Sequence, residues 1–575
     1  MFSGHFSSLS WIVIVGYMLF TTWLGKRLAG RQATIRDFFL GGRKLPWYAI
    51  CGSIIATELS AVTLVGAPAF LWAETGNMTY AILGVGTILA RIIVGFVFVP
   101  RYYDEEIYSP YEYIGNRLGE RARRTTSALF MVGGMMGQGA RLLMSAVVLN
   151  VIISQTGDSD FGIHYSIWII GAVAILWTYM GGIKTVIWTD VIQFVIFSLS
   201  AALTLVVVVG QFQTATGESG IGTILKLASD AGKLEWLDLS LDPRKEFTLL
   251  TGLVASTLAG LAAYGTDQMM VQRMFCCRGP REARRAIIWS SVSQVLMLVC
   301  LLVGVGLWAF YQKSGMAGVP LPEEIAKIDQ DENSLLPVFI KYRVHWFFGG
   351  IMVAGIFAAA ISTLESILAA LAQQSIETLH RLGGRFKLVH GDEQSETNAI
   401  RVSRIFVVFW GVVLCAMASL FYEMRDARQL LIVLALSVVG YTAGGILGTF
   451  LMALIPGLRR RAEGMEWAAL LSVMTIFALR WHEPWAPWAI AAAGAALIVS
   501  SVFLLPRKIS PPITIVACVA VIMFLNLCKV VYPDSPEPQF LTLAFPWFAP
   551  LGAVVMITAS QFICMPASPT ATSRQ

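Results

Sequence analysis

The chain has 575 residues, of which 56% are hydrophobic and only 14% charged, with a formal net charge of +6. Soluble domains carry about a quarter of their residues as Asp, Glu, Lys and Arg, so this composition excludes a water-soluble globule and requires the surplus apolar surface to face lipid. The small positive balance sits in short loops, which argues against a nucleic-acid partner, and the eight cysteines show neither metal-ligand nor secretory spacing and read as buried, unpaired thiols.

A helix that spans a bilayer takes about 20 apolar residues. Fifteen segments meet or approach that length. The first, 9–25, lacks a basic n-region and a small-residue cleavage site, so it reads as a retained helix. The next six lie near 47–72, 78–100, 124–153, 164–180, 185–209 and 246–273. Eight more follow near 287–312, 344–372, 404–423, 428–456, 463–480, 485–505, 511–529 and 545–565.

Basic residues gather in alternate loops. Lys26, Arg27, Arg31, Arg36, Arg43 and Lys44 follow the first segment, then Arg117, Arg121, Arg123 and Arg124, then Lys184, then Arg278, Arg281, Arg284 and Arg285. The series continues with Arg381, Arg385 and Lys387, then Arg459, Arg460 and Arg461, then Arg507 and Lys508, whereas 73–77 and 154–163 hold no Lys or Arg. Cytoplasmic loops accumulate such residues. The N-terminus is therefore expected outside and, with an odd number of spans, the C-terminus inside. The stretches 210–245, 313–343 and 373–403 are too short for an independent core, and the Ser/Thr-rich tail from Pro566 reads as disordered. One membrane domain, 1–575, is expected.

Polar side chains at mid-membrane cost about 2.5–3.5 kcal/mol each on insertion scales, so each is a functional hypothesis. Here they are Glu58, Arg91, Gln138, Arg141, Asp190, Gln193, Asp267, Gln268 and Glu365. The second segment, Ser53 to Pro68, is rich in small and hydroxylated residues and carries Gly66 and Pro68. Proline removes a backbone donor and disrupts the preceding turn, and a break at membrane depth survives only where freed carbonyls line a cavity or bind something. Carbonyl oxygens suit a hard cation; the competing reading is a Pro-kinked packing helix. In the ninth segment Ser362, Glu365 and Ser366 share one helix face, with Thr363 beside them. Hydroxyls there often only bond the carbonyl one turn back, but Glu365 needs a partner, a proton or an ion. Asp190 and Gln193 stand at i, i+3 where the sixth segment starts, a position that also suits a helix cap.

These stretches resemble the sodium:solute symporter family, which includes transporters of sugars, proline, sialic acid, iodide, monocarboxylates and vitamins. The resemblance rests on Asp37-Phe-Phe-Leu-Gly-Gly-Arg-Lys-Leu-Pro46, Ser60-Ala-Val-Thr-Leu-Val-Gly-Ala-Pro68 and Tyr108-Ser-Pro-Tyr-Glu-Tyr113. It continues through Gly181 to Gln193, Asp267-Gln-Met-Met-Val-Gln-Arg273 and the helix from Ala359 to Ser366, all in family order. The resemblance implies an all-α polytopic protein whose core is a LeuT-type pair of inverted five-helix repeats, each with a broken first helix. The repeats fall at 47–209 and 246–456, with one extra N-terminal helix at 9–25 and about four C-terminal helices at 463–565. The seventh segment, with Gly260, Gly265, Thr266 and Asp267, matches the second broken helix.

By the same resemblance a sodium site maps onto Ala56, Leu59, Ala359, Ser362 and Thr363: three carbonyls and two hydroxyls. A second cation site maps onto Asp190, Glu365 and Ser366, but Glu365 stands where serine is usual, which leaves open a second Na+, a proton or a salt bridge. Substrate contacts map onto Ser60, Thr63, Gln138, Arg141, Tyr264 and Gln268. Arg141 suits a carboxylate, which a guanidinium grips bidentately; an internal pair with Glu58 or Glu365 is the alternative. Ser60-Ala-Val-Thr63 resembles the branch carrying monocarboxylates, iodide and vitamins.

The implied activity is Na+-coupled symport of a small polar solute by alternating access, leaning to a monocarboxylate or sialic acid. The alternatives are a sodium/sugar symporter, a proton-coupled symporter and a non-transporting solute sensor. No enzyme motif is present, no organic cofactor is implied, and the expected partners are the solute, Na+ as coupling ion and the lipid bilayer.

Overall fold

The computed structural model describes residues 6–29, 40–105, 107, 109–153, 160–218, 220–316, 322–381, 393–424, 430–460, 463–482, 486–504, 511–532 and 535–564. Arg31, Arg36, Asp37, Tyr108, Arg385, Lys387, Arg461, Arg507, Lys508 and the tail from Pro566 lie outside them.

The helices run in chain order as α1 (Ser10–Ala29), α2 (Trp47–Glu58), α3 (Val62–Trp72), α4 (Met78–Asp104), α5 (Glu120–Ile153), α6 (Asp160–Met180) and α7 (Ile183–Thr216). They continue as α8 (251–266), α9 (Gln268–Phe275), α10 (Pro280–Lys313), α11 (Trp346–Arg381), α12 (Glu393–Met424) and α13 (Leu431–Leu454). The last four are α14 (Met465–Arg480), α15 (Ala486–Leu504), α16 (Pro511–Leu527) and α17 (Phe548–Ile563). Short helices fill several connections.

Among the described residues nine helices are long and apolar enough to cross a membrane, and the bent pair α2–α3 makes a tenth. The other five expected segments all carry helix: α1 has 20 residues, α15 19, α16 17 and α14 16, and α8–α9 is broken. A two-stranded antiparallel hairpin, Lys529–Tyr532 with Ser535–Phe540, was not expected from an all-helical reading.

Two breaks have local causes. Helix α2 stops at Glu58 because Leu59 turns to extended backbone (φ −77°, ψ 110°), and α3 leaves at 52° to α2. Helix α8 stops because Asp267 is extended (φ −74°, ψ 129°). The Asp267 carboxylate then accepts the Met269 N–H at 2.7 Å, capping α9 as an N-terminal aspartate does. The freed Gly265 carbonyl accepts the Tyr102 hydroxyl at 2.6 Å.

The chain forms two compact units, each assembled from discontinuous pieces. One comprises Met1–Ile82, Gly134–Asp238 and Gln272–Leu436; the other comprises Leu83–Gly133, Leu239–Val271 and Ser437–Gln575. In the first unit α7 packs against α1, α2, α10 and α11. Two glycines set the spacing. A Cβ on Gly355 of α11 would stand 2.2 Å from Ser200 Cβ of α7, and a Cβ on Gly304 of α10 would stand 2.8 Å from Pro68 Cα of α3. Small residues at such crossings let membrane helices approach closely. The half-helix α3 is thereby clamped on α10, and α7 and α11 are held in close register, with Ser200 Oγ donating to the Met352 carbonyl at 3.0 Å. In the second unit α14 packs on α17, and the Ser472 hydroxyl donates to the Gly552 carbonyl at 2.8 Å.

Candidate cation site at the broken helix

The extended Leu59 reroutes the backbone hydrogen bonds of the second segment. In an unbroken helix the Ser60 N–H would bond the Ala56 carbonyl and the Thr63 N–H the Leu59 carbonyl. Instead the Ser60 N–H faces Thr63 Oγ1 at 3.4 Å, and the Thr63 N–H bonds the Ser60 carbonyl at 2.9 Å. Ala56 and Leu59 therefore lose their helical donors while remaining 4% and 3% exposed. Buried carbonyls need a partner, and a cation is one that accepts oxygen lone pairs directly.

Helix α11 supplies the other oxygens. Ser362 and Thr363 are fully buried. The Thr363 hydroxyl donates to the Ala359 carbonyl at 2.8 Å, and the Ser362 hydroxyl donates to Asp190 Oδ1 at 2.6 Å. Both hydrogens are thus committed away from their own oxygens, whose lone pairs are left to ligate. The two helices meet at this level: α2 packs on α11, and Thr57 Oγ1, one residue beyond Ala56, stands 3.3 Å from Ser366 Oγ, one turn beyond Ser362. Ala56, Leu59, Ala359, Ser362 and Thr363 accordingly belong to one buried region of one compact unit.

Asp190 is no helix cap. It is wholly buried on α7 and takes three donors: Ser362 on Oδ1, and on Oδ2 the Ser53 hydroxyl at 2.5 Å and the Arg273 guanidinium at 3.0 Å, with Arg273 also reaching Ser53 Oγ at 2.7 Å and Ser366 Oγ. Counted by residue, Ser53, Ser362 and Arg273 bind the carboxylate. The expected second cation set, Asp190, Glu365 and Ser366, is therefore divided, with a guanidinium lying on Asp190 and Ser366. Glu365 is 3% exposed and has Oε2 without a hydrogen-bond partner among the described residues. Ser53, Thr57 and Arg273 were missed as site residues. Arg273 ends an apolar segment, where an arginine reads as a loop charge, and the hydroxyls lacked a distinguishing signal.

The expected substrate residues fall on both units. In the first, Ser60, Thr63 and Gln138 are buried and Arg141 is half-buried. Ser60 Oγ accepts the Val62 N–H at 3.3 Å, which stabilises the restart of the helix. Glu58 accepts the Gln294 amide at 3.1 Å. In the second unit the Tyr264 hydroxyl accepts from Arg91 at 3.0 Å, with the guanidinium over its ring at 4.2 Å, and Gln268 Oε1 accepts the Ser109 hydroxyl at 3.1 Å. Tyr264 and Gln268 are thereby engaged in holding their own unit.

Comparison with known proteins gives the same direction. A family model described as the sodium:solute symporter family matches residues 38–470. The sodium-coupled monocarboxylate transporter 1 of Mus musculus is 27% identical over 458 residues, covering 79% of this chain and 70% of that protein. The sodium-dependent multivitamin transporter of Oryctolagus cuniculus is 26% identical over 456 residues, covering 79% and 67%. A solved structure of a Na+-coupled sialic acid symporter, substrate-bound and outward-open, superposes with a TM-score of 0.70 at 20% identity, covering 96% of this chain and 97% of that one. The fold is nearly all-helical and of the five-plus-five inverted-repeat type. Its relatives are transporters and not enzymes. A match over three quarters of the length, in the order the motifs require, places this multi-pass membrane chain in the sodium:solute symporter family.

Proposed function

We propose that the chain imports a small carboxylate-bearing solute across the cell membrane, driven by Na+ bound between the α2 break and α11. The supporting observation is the rerouting at Leu59, which leaves the Ala56 and Leu59 carbonyls buried without their helical donors beside the Ala359, Ser362 and Thr363 oxygens. Na+ entering from outside ties the broken segment to α11 and orders Ser60 and Thr63, which begin the next turn. The coupling is reciprocal: whatever Na+ adds to solute affinity, solute adds to Na+ affinity. A membrane voltage of 100 mV adds about 2.3 kcal/mol per translocated charge. The alternating basic loops support an outside N-terminus and a cytoplasmic C-terminus.

The carboxylate reading rests on Arg141, half-buried on α5 one turn after Gln138 and in the same unit as Ser60 and Thr63. Relatives named as monocarboxylate and multivitamin transporters support it. A thermal-shift screen of monocarboxylates, sialic acids, sugars and amino acids, with and without Na+, tests both parts, since a ligand of the folded state raises stability by mass action. The expected result is a carboxylate whose stabilisation requires Na+. Arg141→Gln should raise the half-saturating carboxylate concentration at least about tenfold, the loss of one charged hydrogen bond of about 1.5–3 kcal/mol, with the Na+ dependence unchanged. Stabilisation by a neutral sugar, or full affinity in Arg141→Gln, contradicts the carboxylate reading; uptake that persists without Na+ and collapses with the pH gradient contradicts Na+ coupling.

A further inference from the structure

The seam between α2 and the first turns of α10 carries a basic and aromatic face that the transport cycle proposed above does not use. Four arginines and one acid, Glu282, lie between Cys276 and Trp289, and Arg43 and Lys44 precede α2. The two stretches belong to one compact unit and are stitched together. The Leu45 N–H donates to the Cys276 carbonyl at 3.1 Å, Arg278 Nε donates to the Lys44 carbonyl at 3.4 Å, and α2 packs on the first turns of α10. Arg278 also stands 4.0 Å from Glu282. Lys44, Arg281 and Arg285 are exposed, and among the described residues their side chains make no hydrogen bond or ion pair.

Along α10 the exposed side chains change character in order. Arg281, Arg285 and Trp289 stand at i, i+4 and i+8 on one stripe of the helix, and Val292 and Val295 follow. Trp289 is 60% exposed and Val295 59%, and Tyr48, in the first turn of α2, is 58% exposed. At 1.5 Å per residue the stripe passes from guanidinium to indole in about 12 Å and to aliphatic side chains in about 9 Å more. A helix entering a bilayer meets phosphate, interface and acyl chain in that order, with tryptophan and tyrosine at the level of the headgroups. Like charges one turn apart repel, so Arg281 and Arg285 favour an anion between them, and the guanidinium fork matches the oxygens of a phosphate.

We infer that the α2–α10 seam binds an anionic phospholipid of the inner leaflet, with its phosphodiester on Arg281, Arg285 and Lys44 and its acyl chains along Trp289 and Val292. Helix α2 ends in the break that carries the Ala56 and Leu59 carbonyls, so the lipid braces the far end of the helix that meets Na+. The choice of leaflet rests on the orientation read from the basic loops; the binding itself does not, and detergent solution tests it without either leaflet. The purified full chain, titrated with phosphatidylglycerol or with phosphatidylcholine, is read by native mass spectrometry, which counts the lipids retained. One phosphatidylglycerol should be held more tightly than any further lipid and in preference to phosphatidylcholine. Arg281→Gln with Arg285→Gln should weaken it about twentyfold, about fivefold for each basic residue beside an anionic headgroup, and should erase the preference. The lipid-free melting temperature should not move, because both side chains are exposed. Trp289→Leu should weaken both lipids alike and keep the preference. Arg121→Gln with Arg124→Gln removes the same charge from another basic loop and should leave the tightest phosphatidylglycerol in place. Retention of that lipid by the Arg281/Arg285 variant overturns the inference. Equal loss in the Arg121/Arg124 variant overturns it too, since overall positive charge then accounts for the binding. Displacement of the lipid by glycerol phosphate at the same concentration also overturns it, because the seam would then hold an anion without the chains.

Discussion

Replacing Ser362 and Thr363 together by alanine should abolish Na+-driven solute uptake and leave a folded protein. Both side chains are buried, and alanine removes one hydroxyl from each, with a single γ-methyl more at Thr363. Asp190 retains Ser53 and Arg273 as donors, and the Ala359 carbonyl retains its position in the backbone of α11. What is lost is two ligand oxygens. A hydrogen bond to a charged group is worth about 1.5–3 kcal/mol, and two ligand oxygens lost on that scale shift half-saturation by Na+ upward at least about a hundredfold. Uptake into proteoliposomes under an imposed Na+ gradient measures this directly. The melting temperature without Na+ should move little, whereas the stabilisation conferred by Na+ should shrink.

The second large effect concerns Asp190 and Arg273. Breaking a buried ion pair by removing one partner costs about 3–5 kcal/mol, because the survivor is left uncompensated. Asp190→Asn strands the guanidinium, and Arg273→Met strands the carboxylate next to Glu365, another acid. Arg273→Met should therefore be the more damaging of the two. The double variant Asp190→Asn/Arg273→Met should recover much of the loss, since neither stranded charge remains. Arg273→Lys should fall between, because one ammonium cannot reproduce the forked reach to Asp190, Ser53 and Ser366. Thermal melting of the four detergent-purified proteins checks the order. Equal melting of the double variant and Arg273→Met would mean that the pair has no coupling energy.

Much of this was legible in the sequence because lipid makes the rules strict. With no water to satisfy a stray backbone group, apolar runs of sufficient length must be helical, and each run expected from hydropathy carries helix. Glycine and proline near residues 66–68 announced an interruption, although the turn itself falls earlier, at Leu59, where no residue-level signal marks it. The aspartate at 267 ends α8 and caps α9, at the segment where the family resemblance implied a second broken helix. Two expected spans are shorter than a straight crossing takes, α14 with 16 residues and α16 with 17, and the hairpin strands at 529–532 and 535–540 are too local to leave a hydropathy trace.

The site was legible in part only. Polarity at mid-membrane singled out Asp190, Gln193 and Glu365, but pairing is a property of the tertiary structure. Arg273 and Ser53 lie 220 residues apart in sequence and meet at 2.7 Å, and no periodicity on either helix encodes that contact.

Density for the ion itself is the most direct measurement. A high-resolution map of the protein in sodium should show a peak held by the Ala56, Leu59 and Ala359 carbonyls and the Ser362 and Thr363 hydroxyls, at about 2.3–2.6 Å as for hard cations of similar size. The peak should vanish when choline replaces sodium. Identical density in both salts, with the Ala56 and Leu59 carbonyls bonded to protein donors, would contradict the Na+-binding account.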